Sequence, residues 1–201
     1  VAKYLHSLSK KNQIITVCSA VSGVTDDLIE ISKLIQKGNK DQANKLTKKI
    51  IQKYNQLAKD SIKKSQNRKK LLDKLDSVYV ELEELLHGMI LLGEVTPRSL
   101  DYLISFGERL SINLISFTLL DLGSKSIPLT GKEIGIVTDS NFGEARPLMD
   151  TTRIRVSKTT EPLLAKNTIP KFYEHLNEIV DKYPIKLTTA IITNATLLND
   201  D

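Results

Sequence analysis

The sequence contains no tryptophan and only one cysteine, and aromatic residues make up 5 % of its 201 positions. A lone Cys18 excludes an internal disulfide and any cysteine-based zinc cage, and it suits a reducing compartment such as the cytoplasm. With three histidines in the whole chain, no His/Cys/Asp/Glu spacing suggests a dedicated metal site. No basic-then-apolar leader opens the sequence, and no apolar run reads as long enough to span a bilayer. The first residue is Val1 and falls inside a helical pattern, so residues are expected upstream of it.

Scarce aromatics also bear on the charge. The formal net charge is +5, but it is concentrated. Lys40 to Lys74 holds twelve Lys/Arg against three Asp, and the only aromatic there is Tyr54. Single-strand nucleic-acid binders need aromatic platforms for base stacking, and duplex readers need a recognisable docking element. Neither is present, so the stretch reads as a solvated helical face and no nucleic-acid partner is expected.

What is present is a 40 % hydrophobic, 26 % charged chain, the composition of a globular protein with one sizeable core. The β-branched run Ile14 to Val17 reads as a buried strand. It empties into "VCSAVSGVTD", small and hydroxylated residues with one glycine. Thr25 or Asp26 is placed to cap the helix that follows, whose Leu28, Ile31, Leu34 and Ile35 share one face. Two further helical patterns follow, "ANKLTKKIIQKYNQLAKDSI" and "RKKLLDKLDSVYVELEELLHGMILLG". The stripe Leu71, Leu75, Val78, Leu82, Leu85 and Leu86 predicts an antiparallel hairpin. Pro97 suits the first turn of another helix, apolar nearly all round and closed by Gly123.

Beyond it, "KSIPL" and "IGIVT" read as short strands and "DSNFGEARP" as a polar loop. "RIRVSKTTEPLLAKNTIP" reads as an extended segment followed by a short helix. "KFYEHLNEIV" reads as a helix, broken at Pro184, with a strand near Ala190 to Thr193. Strands alternating with helices predict an α/β fold with a mainly parallel sheet.

Five side chains invite a chemical role. Glu108 sits in an otherwise apolar helix, where a carboxylate needs a partner or costs several kcal/mol, on the order of the penalty for burying a charge. Its partner is either Arg109, a neighbouring backbone group, or a ligand cation. Ser19 and Thr25 read, from the residues alone, as capping and turn residues. His87 reads as a core or edge histidine, and Cys18 as an inert packed thiol.

Three strings, "VCSAVSGVTDDLIE", "LDYLISFGERLS" and "GIVTDSNFGEARP", resemble in order and spacing segments of the aspartate kinases of the amino-acid kinase family. "SFGERLS" is the most specific, and the helical insert followed by "LLGEVTPRS" also fits. The resemblance implies a three-layer α/β/α sandwich, with 1–170 a partial catalytic domain, 27–92 a helical insert and 171–201 a segment of uncertain origin. It implies transfer of the ATP γ-phosphoryl to the β-carboxylate of L-aspartate, with Mg²⁺ carried on the nucleotide, in a cytoplasmic enzyme that forms homo-oligomers.

Residue by residue, the resemblance implies that Thr25 and Glu108 contact aspartate, Glu108 through the α-ammonium. Ser19, Ser22 and Gly23 then shape the same strand-end loop, Phe142 walls the pocket, and Arg109 makes a structural ion pair. Two strings of the family are absent. One is the opening lysine–phenylalanine–glycine–glycine–threonine–serine that holds ATP phosphates. The other is the later arginine–glycine–glycine–serine–aspartate. These 201 residues alone are therefore expected to be inactive. The competing expectations are a sister kinase acting on another carboxylate, or a non-catalytic basic helical module.

Overall fold

The computed structural model describes residues 1–160 and 190–194. The elements are α1 (Ala2–Ser9), β1 (Ile14–Cys18), α2 (Val24–Gln36), α3 (Lys40–Ser61), α4 (Ser65–Leu92), α5 (Pro97–Asp121), β2 (Ile127–Leu129), α6 (Gly131–Ile134), α7 (Met149–Thr160) and β3 (Ala190–Asn194).

The apolar spacing places the main core where it was expected. Leu28, Ile31, Leu34 and Ile35 of α2 and Leu71, Leu75, Val78, Leu82 and Leu86 of α4 are all buried in one cluster with Leu103, Phe106 and Leu110 of α5; Leu85 packs at its edge. Ile50, Tyr54 and Ala58 of α3 join the same cluster. Helices α3 and α4 therefore have no core of their own. At the α3–α4 turn, the Asp121 carboxylate at the end of α5 accepts the backbone N–H groups of Lys63 at 2.9 Å and Lys64 at 3.1 Å. It satisfies two donors of the turn just ahead of α4, a helix with no side-chain cap of its own.

Helix α5 is the pivot, touching α2, α3 and α4 on one side and β1, β2 and β3 on the other. It starts as the sequence indicates: Thr96 accepts the Ser99 N–H at 3.1 Å and Pro97 occupies the first turn. In length and composition α5 is apolar enough to cross a membrane, contrary to the expectation that no such stretch exists, yet 67 % of its apolar 18-residue stretch is buried within the protein. Its hydrophobicity is that of a helix covered on two sides.

The sheet corrects the expectation of mainly parallel pairing. Its order is β1-β3-β2, and both ladders are antiparallel, with Ile14 opposite Asn194 and Ile127 opposite Thr193. Strands β1 and β2 run the same way, as a parallel fold requires of them, but β3 lies between them and runs against both.

Two segments read as extended are helical or irregular. "IGIVT" begins inside α6, because Thr130 and Glu133 form a reciprocal capping box that starts a helix at Gly131. Only Thr138 bridges, to Pro147. "RIRVSKTT" lies in α7, whose Val156 packs on Ile134 and whose Thr152 hydroxyl donates to the Val137 carbonyl at 3.1 Å. The expectations for "EPLLAKNTIP", "KFYEHLNEIV" and Pro184 lie outside the described residues, as does most of 171–201. His87 is exposed.

Candidate functional site

The corner after β1 is built around Gly23. It is the N-cap of α2 with φ 79°, in the left-handed region, and no side chain caps the helix. Thr25 and Asp26 therefore lie inside the first turn rather than at the cap. The tight turn from Val21 needs a residue tolerant of positive φ, and the glycine at that point starts the helix earlier. Val24 N–H donates to the Val21 carbonyl at 3.0 Å and Asp27 N–H to the Gly23 carbonyl at 3.0 Å. The N–H groups of Thr25 and Asp26 between them are left as the open donors of a helix start, at the positive end of its dipole.

Ser19, Ser22 and Gly23 are exposed on this corner and Thr25 is half-buried. Among the described residues, none of the three hydroxyls bonds to another protein group.

Glu108 projects from α5 toward this corner. It is 8 % exposed, and its Oε2 has no hydrogen-bond partner among the described residues. Burial pushes its carboxyl above the ordinary range, against smaller opposing effects of its own backbone N–H and that of Ala20. Neither N–H satisfies Oε2. Contact is close because residue 107 is glycine: a Cβ there would lie 2.8 Å from the Ala20 Cβ.

Arg109, next in sequence, does not neutralise Glu108. It points to the other side of α5 and pairs with Glu81 of α4, and its guanidinium lies 4.5 Å from the Phe106 ring centroid. The hydrogen bond from Arg109, working against burial, holds the Glu81 carboxyl below its ordinary range.

Helix α3 supplies contacts that the sequence alone did not suggest. Lys53 Nζ donates to the Ser22 carbonyl at 2.6 Å, and Lys49 pairs with Asp27 at 3.3 Å. The Tyr54 hydroxyl donates to the Gly107 carbonyl at 3.1 Å. The available signal was Tyr54 itself, spaced with Ile50 and Ala58 on one helical face. A tyrosine so placed is buried, and a buried hydroxyl needs a partner.

Phe142 is not gathered in. Its ring lies 5.6 Å from the Arg98 guanidinium carbon, and the adjacent Gly143 N–H donates to Asp101 at 2.6 Å. These contacts hold the loop at the first turns of α5. Arg98 stands ten residues before Glu108, about 15 Å along a helix that rises about 1.5 Å per residue. Cys18 is buried, which pushes its thiol up to about 11. At neutral pH it is a protonated packing residue.

The arrangement is an uncompensated carboxylate oxygen facing a corner of hydroxyls and open N–H groups, suited to a small zwitterion with an ammonium and carboxylates. Comparison with known proteins places the sequence. The chain is 42 % identical over 77 residues to "Aspartokinase 3, chloroplastic" of Arabidopsis thaliana, covering 38 % of this chain and 14 % of that protein. It is 44 % identical over 61 residues to an aspartokinase of Geobacillus stearothermophilus, covering 30 % and 15 %. It is 32 % identical over 120 residues to an aspartokinase of Schizosaccharomyces pombe, covering 57 % and 23 %. The matches thus span less than a quarter of each relative's length. The model of the amino acid kinase family matches residues 1–181, and the chain belongs to that family.

Proposed function

We propose that this chain carries the amino-acid site of an aspartate kinase, an enzyme that moves the γ-phosphoryl of ATP to the β-carboxylate of L-aspartate. The observation that carries this reading is the unpartnered Oε2 of Glu108, buried in α5 and facing the corner after β1. A buried carboxylate without a partner is costly. A ligand ammonium would supply both charge and donors.

In this reading Glu108 holds the α-ammonium. Thr25, Ser19 and Ser22 offer hydroxyls to the carboxylates, and the open N–H groups of the α2 start add positive potential. Phosphoryl transfer asks the protein mainly for positioning and charge stabilisation, and these residues supply the positioning of the acceptor. No residue is assigned to ATP. Mg²⁺ is taken to enter on the nucleotide phosphates, as it does in kinases generally.

Calorimetric titration with L-aspartate, L-glutamate and N-acetyl-L-glutamate tests the reading. Aspartate should bind and the N-acetylated compound should not, because acetylation removes the ammonium. Equal binding of N-acetyl-L-glutamate, or none of aspartate, would overturn it.

A further inference from the structure

We propose that Tyr54 is a positioning residue for the amino-acid site, its hydroxyl tying α5 to α3, and through α3 to the corner, and so fixing where Glu108 stands. This rests on the reading of Glu108 as the ammonium partner.

Three elements meet around Gly107. Tyr54 comes from α3 and is fully buried. Its hydroxyl donates to the carbonyl of Gly107, the residue directly before Glu108. The backbone N–H of Val21, in the corner, opposes the effect of burial on the same phenol, and Lys53, beside Tyr54 on α3, donates to the Ser22 carbonyl at 2.6 Å. The corner is thus held to both helices, Ala20 by contact with the bare Gly107 Cα region of α5 and Ser22 by Lys53 of α3, while Tyr54 joins α3 to α5. The Gly107 carbonyl lies inside α5, where a helix carbonyl already accepts its own ladder bond, and a carbonyl has a second lone pair to give. The bond to Tyr54 therefore adds to the helix and does not compete with it. Burial pushes the phenol well above its ordinary range, so the donor persists at any pH at which the protein works.

The geometric consequence is specific. Rotation of α5 about its axis, or a slide along it, would swing the Glu108 carboxylate away from Ser19, Ser22 and Thr25. Leu103, Phe106 and Leu110 interlock with the core on either side, but residue 107 itself presents no side chain to do so. A directional bond to the carbonyl one residue away restrains it directly.

The test compares Tyr54→Phe with Tyr79→Phe in the whole chain. Tyr79 is also buried, and its hydroxyl donates to Asn55 of the same helix α3 at 3.2 Å, without touching the corner. Phenylalanine fills either site. Aspartate Kd by calorimetry should rise about tenfold in Tyr54→Phe, the loss of one buried hydrogen bond, and stay within about twofold in Tyr79→Phe, even though both lower Tm. Hydrogen exchange at the Val21 amide should accelerate in Tyr54→Phe only. In the unmodified chain, the Val21 amide resonance should shift on aspartate addition with the calorimetric Kd, a measurement that needs no variant.

An unchanged Kd in Tyr54→Phe, with aspartate still bound by the unmodified chain and lost in Glu108→Gln, would overturn the role of Tyr54 and leave the amino-acid site standing. An unresponsive Val21 resonance in a chain that binds aspartate would do the same. Failure of the unmodified chain to bind aspartate would overturn both.

Discussion

Gly107 and Ala20 touch so closely that a methyl group on residue 107 would stand 2.8 Å from the Ala20 Cβ, with Leu28 and Val24 carbons at 3.6 Å behind it. Gly107 is inside a helix, where glycine costs about 1 kcal/mol relative to alanine. The contact with the corner explains why the cost is tolerated. Gly107→Ala gains that propensity but overpacks the contact, typically by about 1–3 kcal/mol. The net expectation is a Tm shifted by only a few degrees, with aspartate affinity lowered about tenfold or more as α5 is pushed off the corner. Calorimetry beside thermal melting checks this; unchanged affinity would show that the close approach does not serve the site.

Glu108→Gln should separate stability from binding. Burial raises the folded-state pKa of Glu108 above its unfolded value. The folded form therefore binds more protons, and the contribution of this group is favourable below the unfolded pKa and lost as pH rises through the folded one. As pH rises through the folded-state pKa, the ligand-free protein thus acquires an unfavourable charge that glutamine lacks. Glu108→Gln should be more stable than the unmodified chain at pH 7, by about 1 kcal/mol on the scale of single substitutions, and the gain should vanish toward pH 4. The same variant should lose aspartate binding. Melting curves across pH, with and without aspartate, check both halves.

The adjacent Arg109 should behave in the opposite way. Arg109→Met breaks its pair with Glu81, whose side chain is 40 % exposed, so solvent moderates the loss to about 1–2 kcal/mol, between exposed and buried pairs. Glu81 has a lowered folded-state pKa, so the stability it contributes is present above the unfolded carboxylate pKa and lost as pH falls through the folded value. The difference between Arg109→Met and the unmodified chain should be largest near pH 7 and shrink in acid. Aspartate Kd should stay within about twofold, because the pair faces away from the corner. Urea unfolding at several pH values checks the first point, and calorimetry the second.

These neighbouring roles show which features the sequence encodes locally. The apolar stripe of α4, the Thr96–Pro97 start of α5 and the strand at Ile14 follow from residue spacing and capping chemistry, which act within a few residues. The acid at 108 is legible because it stands in a greasy helix, and Arg109 because consecutive helix residues point apart. Strand direction is not legible, because alternation is the same whichever way a neighbour runs. β3 between β1 and β2 is a product of tertiary structure.

The "RIRVSKTT" segment misleads for a related reason. Its β-branched residues suggest a strand, but Thr152 and Val156, four apart, are both fully buried, a helical spacing that only the packing on Ile134 rewards. Phe142 and Tyr54 illustrate the same limit for the site. An aromatic in a loop gives no reach, and a tyrosine in a lysine-rich helix gives no sign of which carbonyl it will meet.

Gly23 offers a test of the corner that leaves the packing intact. Its φ of 79° demands a left-handed residue, yet a Cβ there would meet no atom within 4 Å. Any penalty for a side chain is therefore backbone strain alone, without the clash that confounds residue 107. Alanine in the left-handed region costs about 1–2 kcal/mol, while asparagine tolerates it better. The stability order should be glycine, then Gly23→Asn, then Gly23→Ala. Aspartate affinity should follow the same order, because strain relaxes by turning the first-turn N–H groups of Thr25 and Asp26 away from their present direction. Melting and calorimetry on the three proteins check the ranking. If Gly23→Ala matched the unmodified chain in both, the corner would be shown not to need its left-handed cap, and the open donors of α2 would lose their part in holding the substrate.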